Sequence, residues 1–148
     1  MRHKRYTPRV PELPDVELYR SCLVERVGGK RLASIAIRSA FLVRTVDPPA
    51  EAAEGRVLRG VERLGKRLVL VFGDDLFLVI HLMIAGRLRW GGASSKIELA
   101  RFRFECGDVV LTEASQRKRA SLHVVQGREA LATLDPGGLE PLSVSLGE

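Results

Sequence analysis

A chain of 148 residues, 45% of them hydrophobic, is the size of one domain and can bury a core of its own. Its formal charge of +6 and isoelectric point near 9.9 favour a polyanionic partner such as nucleic acid, although charge alone also fits a basic protein with no such role. Two cysteines, Cys22 and Cys106, exclude a four-thiolate zinc site and suggest no disulfide framework; with no apolar run of about 18 residues and no signal-peptide pattern, a soluble cytoplasmic protein is expected.

Met1–Val10 is basic, lacks an apolar period and contains Pro8, so a mobile arm is expected over residues 1–10. A helix follows. Pro14 suits its first position, and Asp15 and Glu17 face the positive end of its dipole. Val16, Tyr19, Leu23 and Val27 recur at helical spacing, and Gly28-Gly29 supplies the stop. Alternating Ile35 and Ile37 mark Arg31–Arg38 as a strand. Phe41–Val46 is a short apolar run, broken by Asp47-Pro48-Pro49, and Ala50–Gly55 reads as a loop or one helical turn. Val57–Leu64 and Arg67–Phe72 read as strands. Gly73-Asp74-Asp75 turns the chain into Leu76–Leu82, which makes a buried hairpin. Gly86–Trp90 is another strand. Ile97–Cys106 alternates Phe102, Phe104 and Cys106 against Arg101, Arg103 and Glu105, the pattern of a half-buried strand with a charged outer face. Val109–Thr112 and Ser121–Val125 are further strands, separated by a polar, basic loop at Glu113–Arg119. Arg128–Leu134 reads as a short helix, ended by Asp135-Pro136-Gly137-Gly138. The expected fold is mainly β: a two-layer β-sandwich or distorted barrel with an N-terminal helix and a short C-terminal helix.

On its own terms, Pro11-Glu12-Leu13-Pro14-Asp15-Val16-Glu17 is an ordinary helix start. The run also resembles the opening of the formamidopyrimidine-DNA glycosylase/endonuclease VIII family, whose mature chains begin Pro-Glu-Leu-Pro-Glu-Val-Glu; Asp15 is the one replacement. Later landmarks keep the family's order: Gly65-Lys66-Arg67, then His81-Leu82-Met83-Ile84-Ala85-Gly86-Arg87-Leu88, then Gly138-Leu139-Glu140-Pro141-Leu142. The resemblance therefore covers Pro11 to Leu142. It implies a β-sandwich catalytic domain over 11–142, with 143–148 opening a linker to a helix-two-turns-helix domain. It also implies base-excision repair by a DNA glycosylase/AP lyase that removes oxidised bases. The implied partner is double-stranded DNA with damaged bases or abasic sites, bound by a monomer with no membrane association. No cofactor is expected in this chain; the resemblance implies a C-terminal finger, zinc-bearing in some members and zincless in others, that this chain lacks. The chain ends about where the second domain should begin, so it reads as a truncated piece or a naturally short remnant.

A free N-terminal proline has a secondary amine titrating near about 8, below the lysine range, so part of it is nucleophilic at neutral pH. The resemblance implies that Pro11 attacks the sugar C1′, that the base leaves, and that the iminium promotes strand nicking. It makes Glu12 the proton donor to the opening sugar, which requires a raised pKa. It sets Asp15 near the damaged nucleotide, one methylene shorter than the family's Glu. Lys66, otherwise a solvated hairpin lysine, becomes a phosphate ligand and proton-transfer group. His81, otherwise a structural histidine, becomes a phosphate contact. Extruding a nucleotide leaves a gap that a side chain fills; the family wedge is a Met, and Ile84 stands at that position with Met83 before it. The family's Asp-Pro-Arg-Arg-Phe-Gly loop is matched by the Glu113–Arg119 segment, which keeps the basic charge without the Phe. Arg117 and Arg119 are its candidates for phosphate or orphan-base contacts, and Lys96 is a weaker phosphate candidate.

Two rivals remain open on sequence: a non-catalytic nucleic-acid-binding module retaining the fold, and a generic basic β-domain with a protein partner. The discriminating feature is the nitrogen of Pro11. Joined to Val10 it is an amide and no nucleophile. A GUG codon at Val10 acting as initiator, followed by methionine removal, is the favoured way to free it, and proteolytic trimming is the other. On this reading the form beginning at Pro11 traps on abasic DNA under borohydride and the form beginning at Met1 does not.

Overall fold

The structure, a computed structural model, describes residues 10–134. The basic arm over residues 1–9, the Asp135–Gly138 stop, the landmark at Gly138–Leu142 and the expected linker over 143–148 lie outside the described residues.

Helix α1 spans Leu13–Val27 and buries Val16, Leu23 and Val27, with Tyr19 partly buried beside them. It begins one residue earlier than its proline suggests: Glu12 is the N-cap, and Pro14 takes the second helical position. The reason is a capping box. The Glu12 backbone N–H donates to the Asp15 carboxylate at 2.8 Å, while the Glu12 carboxylate faces the Asp15 N–H, which satisfies donors that a helix start leaves open.

Eight strands follow over the described residues: β1 (Leu32–Ile37), β2 (Leu58–Leu64), β3 (Arg67–Phe72), β4 (Leu76–His81), β5 (Gly86–Trp90), β6 (Glu98–Phe104), β7 (Gly107–Glu113) and β8 (Ser121–Gln126). Helix α2 covers Arg128–Ala132. Single 3-10 turns lie at Ala50–Ala53 and Gly73–Asp75. Two four-stranded sheets result, ordered β1-β6-β7-β5 and β2-β3-β4-β8, antiparallel throughout. The mainly β sandwich with one leading and one trailing helix agrees with the sequence reading. Phe41–Val46 forms no strand; it contributes one isolated parallel bridge, Val43 to Leu122.

The main core lies between the sheets and takes in the buried face of α1. A smaller cluster of Val69, Phe77, Val79, Val125 and Leu131 lies under α2. Strand β4 is buried on both faces, which is why Leu76–Ile80 reads as a continuous apolar run with no alternation.

Two expectations over Ile97–Cys106 are overturned. Cys106 lies past the end of β6 and is exposed, because the inward alternation stops with the strand at Phe104. Arg101 is not on a charged outer face; it is 6% exposed, beside Glu98 at 4%. Its guanidinium donates to Glu98 at 2.9 and 3.1 Å, to Asp108 at 2.8 Å and to the Gly92 carbonyl at 3.0 Å. Arg38 adds a second donor to Glu98 at 3.2 Å. A buried charge is tolerable only when paired and hydrogen-bonded, and this one is both. The Arg101 hydrogen bond holds Glu98 below the ordinary glutamate range, with the nearby Arg38 charge adding to it. Arg103 and Glu105 do face outward.

Removing Arg101 strips Glu98 of its two shortest hydrogen bonds and leaves this buried carboxylate to the half-exposed Arg38. Arg101→Ala should cost on the order of 3–5 kcal/mol in urea unfolding. Arg103→Ala, at an exposed position on the same strand, should stay within about 0.5 kcal/mol of the parent. Equal effects of the two changes would refute the buried network as a source of stability.

Candidate active site

The strand register brings the candidate segments to one end of the sandwich. Leu64 pairs with Arg67 across the two-residue hairpin Gly65-Lys66. Arg67 in turn pairs with His81, and His81 pairs with Ser121. In the other sheet Gly86 pairs with Glu113. The hairpin tip, the 82–85 connection and the 114–120 loop therefore emerge side by side. The start of α1 joins them through the Lys66 ammonium, which donates to the Glu12 carboxylate at 3.1 Å. Both side chains are well exposed, 43% and 57%, so the pair contributes only about 0–1 kcal/mol. Its effect is positional: it ties the hairpin to the helix start.

Lys66 is presented by a turn that needs glycine before it. Gly65 has φ +61°, as the first central residue of the tight hairpin loop requires. The 82–86 turn also depends on a glycine. Gly86 N–H bonds to the Leu82 carbonyl at 2.9 Å, and a Cβ on Gly86 would lie 2.5 Å from that oxygen. Met83 adopts φ +59°, and its N–H donates to His81 Nδ1 at 3.0 Å. Leu82 is buried while Ile84, 51% exposed, projects from the turn.

These residues enclose a pocket of about 300 Å³ lined by Pro11, Lys66, His81, Leu82, Met83 and Ile84, with Val10 at its rim. Pro11 is buried. His81 is half-buried, and its pKa lies below the ordinary 6.5, first because of burial and then because of the positive charges of Arg67 and Lys66. It is thus neutral at physiological pH. Since Nδ1 accepts from Met83, the proton sits on Nε2, which is free to donate to an acidic or phosphate oxygen.

The basic loop is held by a residue that sequence reasoning passed over. Glu113 is 1% exposed, and its carboxylate accepts the backbone N–H groups of Arg119 at 2.9 and 3.0 Å and of Ala120 at 3.1 and 3.3 Å. Lys118 folds inward, with Nζ 2.6 Å from both the Glu113 and Ser115 carbonyls. Arg44, from the 38–49 connection, bonds the Arg119 and Ala120 carbonyls at 3.3 Å. Arg117 and Arg119 remain as exposed side chains. A single acid at the head of a basic run was the available signal for this closure. Lys96 is exposed and does not line the pocket. It precedes Ile97, whose carbonyl accepts the Glu113 N–H at 2.9 Å, so it flanks the foot of the basic loop. Among the described residues no group of three or more His, Cys, Asp or Glu side chains is placed to hold a metal, and no helix is long and apolar enough to cross a membrane.

Residues 10–122 match the family described as the formamidopyrimidine-DNA glycosylase N-terminal domain. The chain belongs to that family. It is 34% identical to the formamidopyrimidine-DNA glycosylase of Solibacter usitatus over 109 residues, 72% of this chain and 41% of that protein. Two solved structures of the Lactococcus lactis enzyme, one with DNA containing FAPY-dG and one with DNA containing an abasic site, match with TM-score 0.76 and 26% identity, over 83% of this chain and 47% of theirs. The chain thus spans about half the length, or less, of these relatives. Within this glycosylase-family domain, the pocket brings together Pro11, Lys66, His81 and Ile84, with Glu12 bonded to Lys66, Asp15 bonded to Glu12, and Arg117 and Arg119 on the neighbouring loop.

His81 and His123 both sit below 6.5, in each case first through burial. Between the folded and unfolded pKa values the unfolded chain binds more protons. Their neutral forms therefore contribute stability that is full above the unfolded value and lost as pH falls through the folded ones. The unfolding free energy should fall as the pH drops below the ordinary histidine range of about 6.5, and a His81→Gln/His123→Gln double variant should show a smaller fall. An unchanged pH slope in the double variant would rule out these two histidines as its source.

Proposed function

We propose that this domain acts in base-excision repair on double-stranded DNA, as the catalytic half of a glycosylase/AP lyase working on oxidised bases and abasic sites. The observation that carries this reading is the shared pocket: a proline nitrogen, an amine, a neutral imidazole donor and an exposed apolar side chain converge on one concave site beside a basic loop. In a form whose chain begins at Pro11, the secondary amine attacks C1′ and the base departs. The resulting iminium withdraws electrons from C2′, so that loss of a C2′ proton expels the 3′ phosphate. Glu12 gives and takes protons at the opening sugar. Lys66 and His81 Nε2–H hold the flanking phosphate, and Ile84 fills the space left by the extruded nucleotide. Asp15 acts through the capping box, by fixing the Glu12 backbone. Arg117, Arg119 and Lys96 contact phosphates, which positions the duplex without reading its sequence. A cytoplasmic location, with access to the chromosome, fits this role.

A second reading, a binding module without chemistry, is favoured by one specific feature: with Val10 attached, Pro11 is an amide and is buried. Borohydride trapping on abasic-site DNA separates the two. The form beginning at Pro11 should yield a covalent complex mapped to Pro11. If that form binds the DNA and never cross-links, the lyase reading fails and the binding module remains. Binding itself should weaken linearly in log Kd against log salt, as phosphate contacts release counterions. The slope should shrink in an Arg117→Ala/Arg119→Ala variant, and an unchanged slope would remove the loop from the interface.

A further inference from the structure

The pocket holds a second nitrogen whose reactivity does not depend on where the chain begins. Among the described residues lining it, Lys66 carries the one aliphatic amine. Its side chain is 43% exposed, whereas Pro11 is buried and, behind Val10, acylated. The hairpin fixes Lys66 at its tip, and the Glu12 carboxylate lies 3.1 Å from Nζ, within reach for proton transfer. The pocket, about 300 Å³, has a volume equal to that of about ten liquid waters, enough for a ring-opened pentose.

The geometry points to Lys66 as a Schiff-base nucleophile toward the aldehyde of an abasic site when residues 1–10 are retained, giving a lyase activity independent of the Pro11 nitrogen. This departs from the expectation that the longer form makes no adduct. It rests on the proposed reading of the pocket as a site for an abasic nucleotide.

The steps balance without any further reagent. Glu12 takes a proton from the Lys66 ammonium. The neutral Nζ adds to C1′ of the open aldehyde and forms a carbinolamine. Glu12 returns the proton to the carbinolamine hydroxyl, which leaves as water, so that the C1′–O bond breaks and a protonated imine remains. The Glu12 carboxylate then removes a C2′ proton. The C–H electrons move toward the imine nitrogen and return to expel the 3′ oxygen as a phosphate, breaking the strand. Water hydrolyses the unsaturated imine and restores Lys66. A lysine can serve because nucleophilic amines need only a neutral fraction, and a nearby carboxylate supplies the proton acceptor.

The test uses the full chain of 148 residues, with intact mass confirming that Val10 and the residues before it are retained. Borohydride is added on abasic-site DNA, and the cross-linked peptide is mapped. Salt-dependent binding to the same DNA is measured in parallel, for the parent and for Lys66→Arg, which keeps the charge at an exposed loop tip. The expected result is a cross-link mapped to Lys66 and lost in Lys66→Arg, while that variant, weakened at one phosphate contact, still binds the DNA measurably. A cross-link mapped to another amine, or one that survives in Lys66→Arg, overturns the inference. Binding without any cross-link in the parent overturns it too and leaves the proposed function standing. Failure to bind abasic DNA at all removes both.

Discussion

The site depends on the register of one strand. β4 runs between β3 and β8, and its last residue, His81, faces Arg67 on one side and Ser121 on the other. That pairing fixes where the hairpin before β3 and the loop before β8 must surface. A slip of one residue would turn every side chain of β4 to the opposite face, which the cores on its two sides forbid: Leu76, Leu78 and Ile80 fill the space between the sheets, while Phe77 and Val79 fill the cluster beneath α2. The chemistry at the pocket is thus positioned by apolar packing well away from it.

Polar closure then completes what packing begins. Two buried acids, Glu98 and Glu113, each anchor a different irregular segment. Glu98 is held by Arg101 and Arg38, next to the 91–97 connection. Glu113 accepts backbone donors at the far end of its own loop. In both cases a buried carboxylate takes up several donors at once, which its two oxygens allow.

Much of this was legible in the residues. Turn glycines and alternating apolar positions delimited the strands, and the spacing of Val16, Leu23 and Val27 gave the buried face of α1. The ordered runs around Pro11, Lys66 and His81 pointed to the pocket. What escaped was polar and non-local. Arg101 has the alternation of an exposed residue, and only its partners make burial possible: Glu98, three residues earlier on β6, and Asp108, brought in by the β6–β7 pairing. The role of Glu113 depends on a loop doubling back six and seven residues later. Lys118, in the same basic run as Arg117 and Arg119, sets its ammonium on two carbonyls of its own loop. Hydrophobic periodicity carries no information about such closures.

The brace from Arg44 to the Arg119 and Ala120 carbonyls has a thermodynamic consequence. A loop left free in solution loses conformational entropy when it meets a partner, and that loss weakens binding. Here Glu113 and Arg44 clamp the chain at 119–120, while Lys118 gathers the loop interior inward, so most of the ordering is completed during folding. The arginine side chains alone stay free to adapt. Association through this surface should therefore resemble the meeting of two shaped bodies, with rotamer adjustment in place of loop folding.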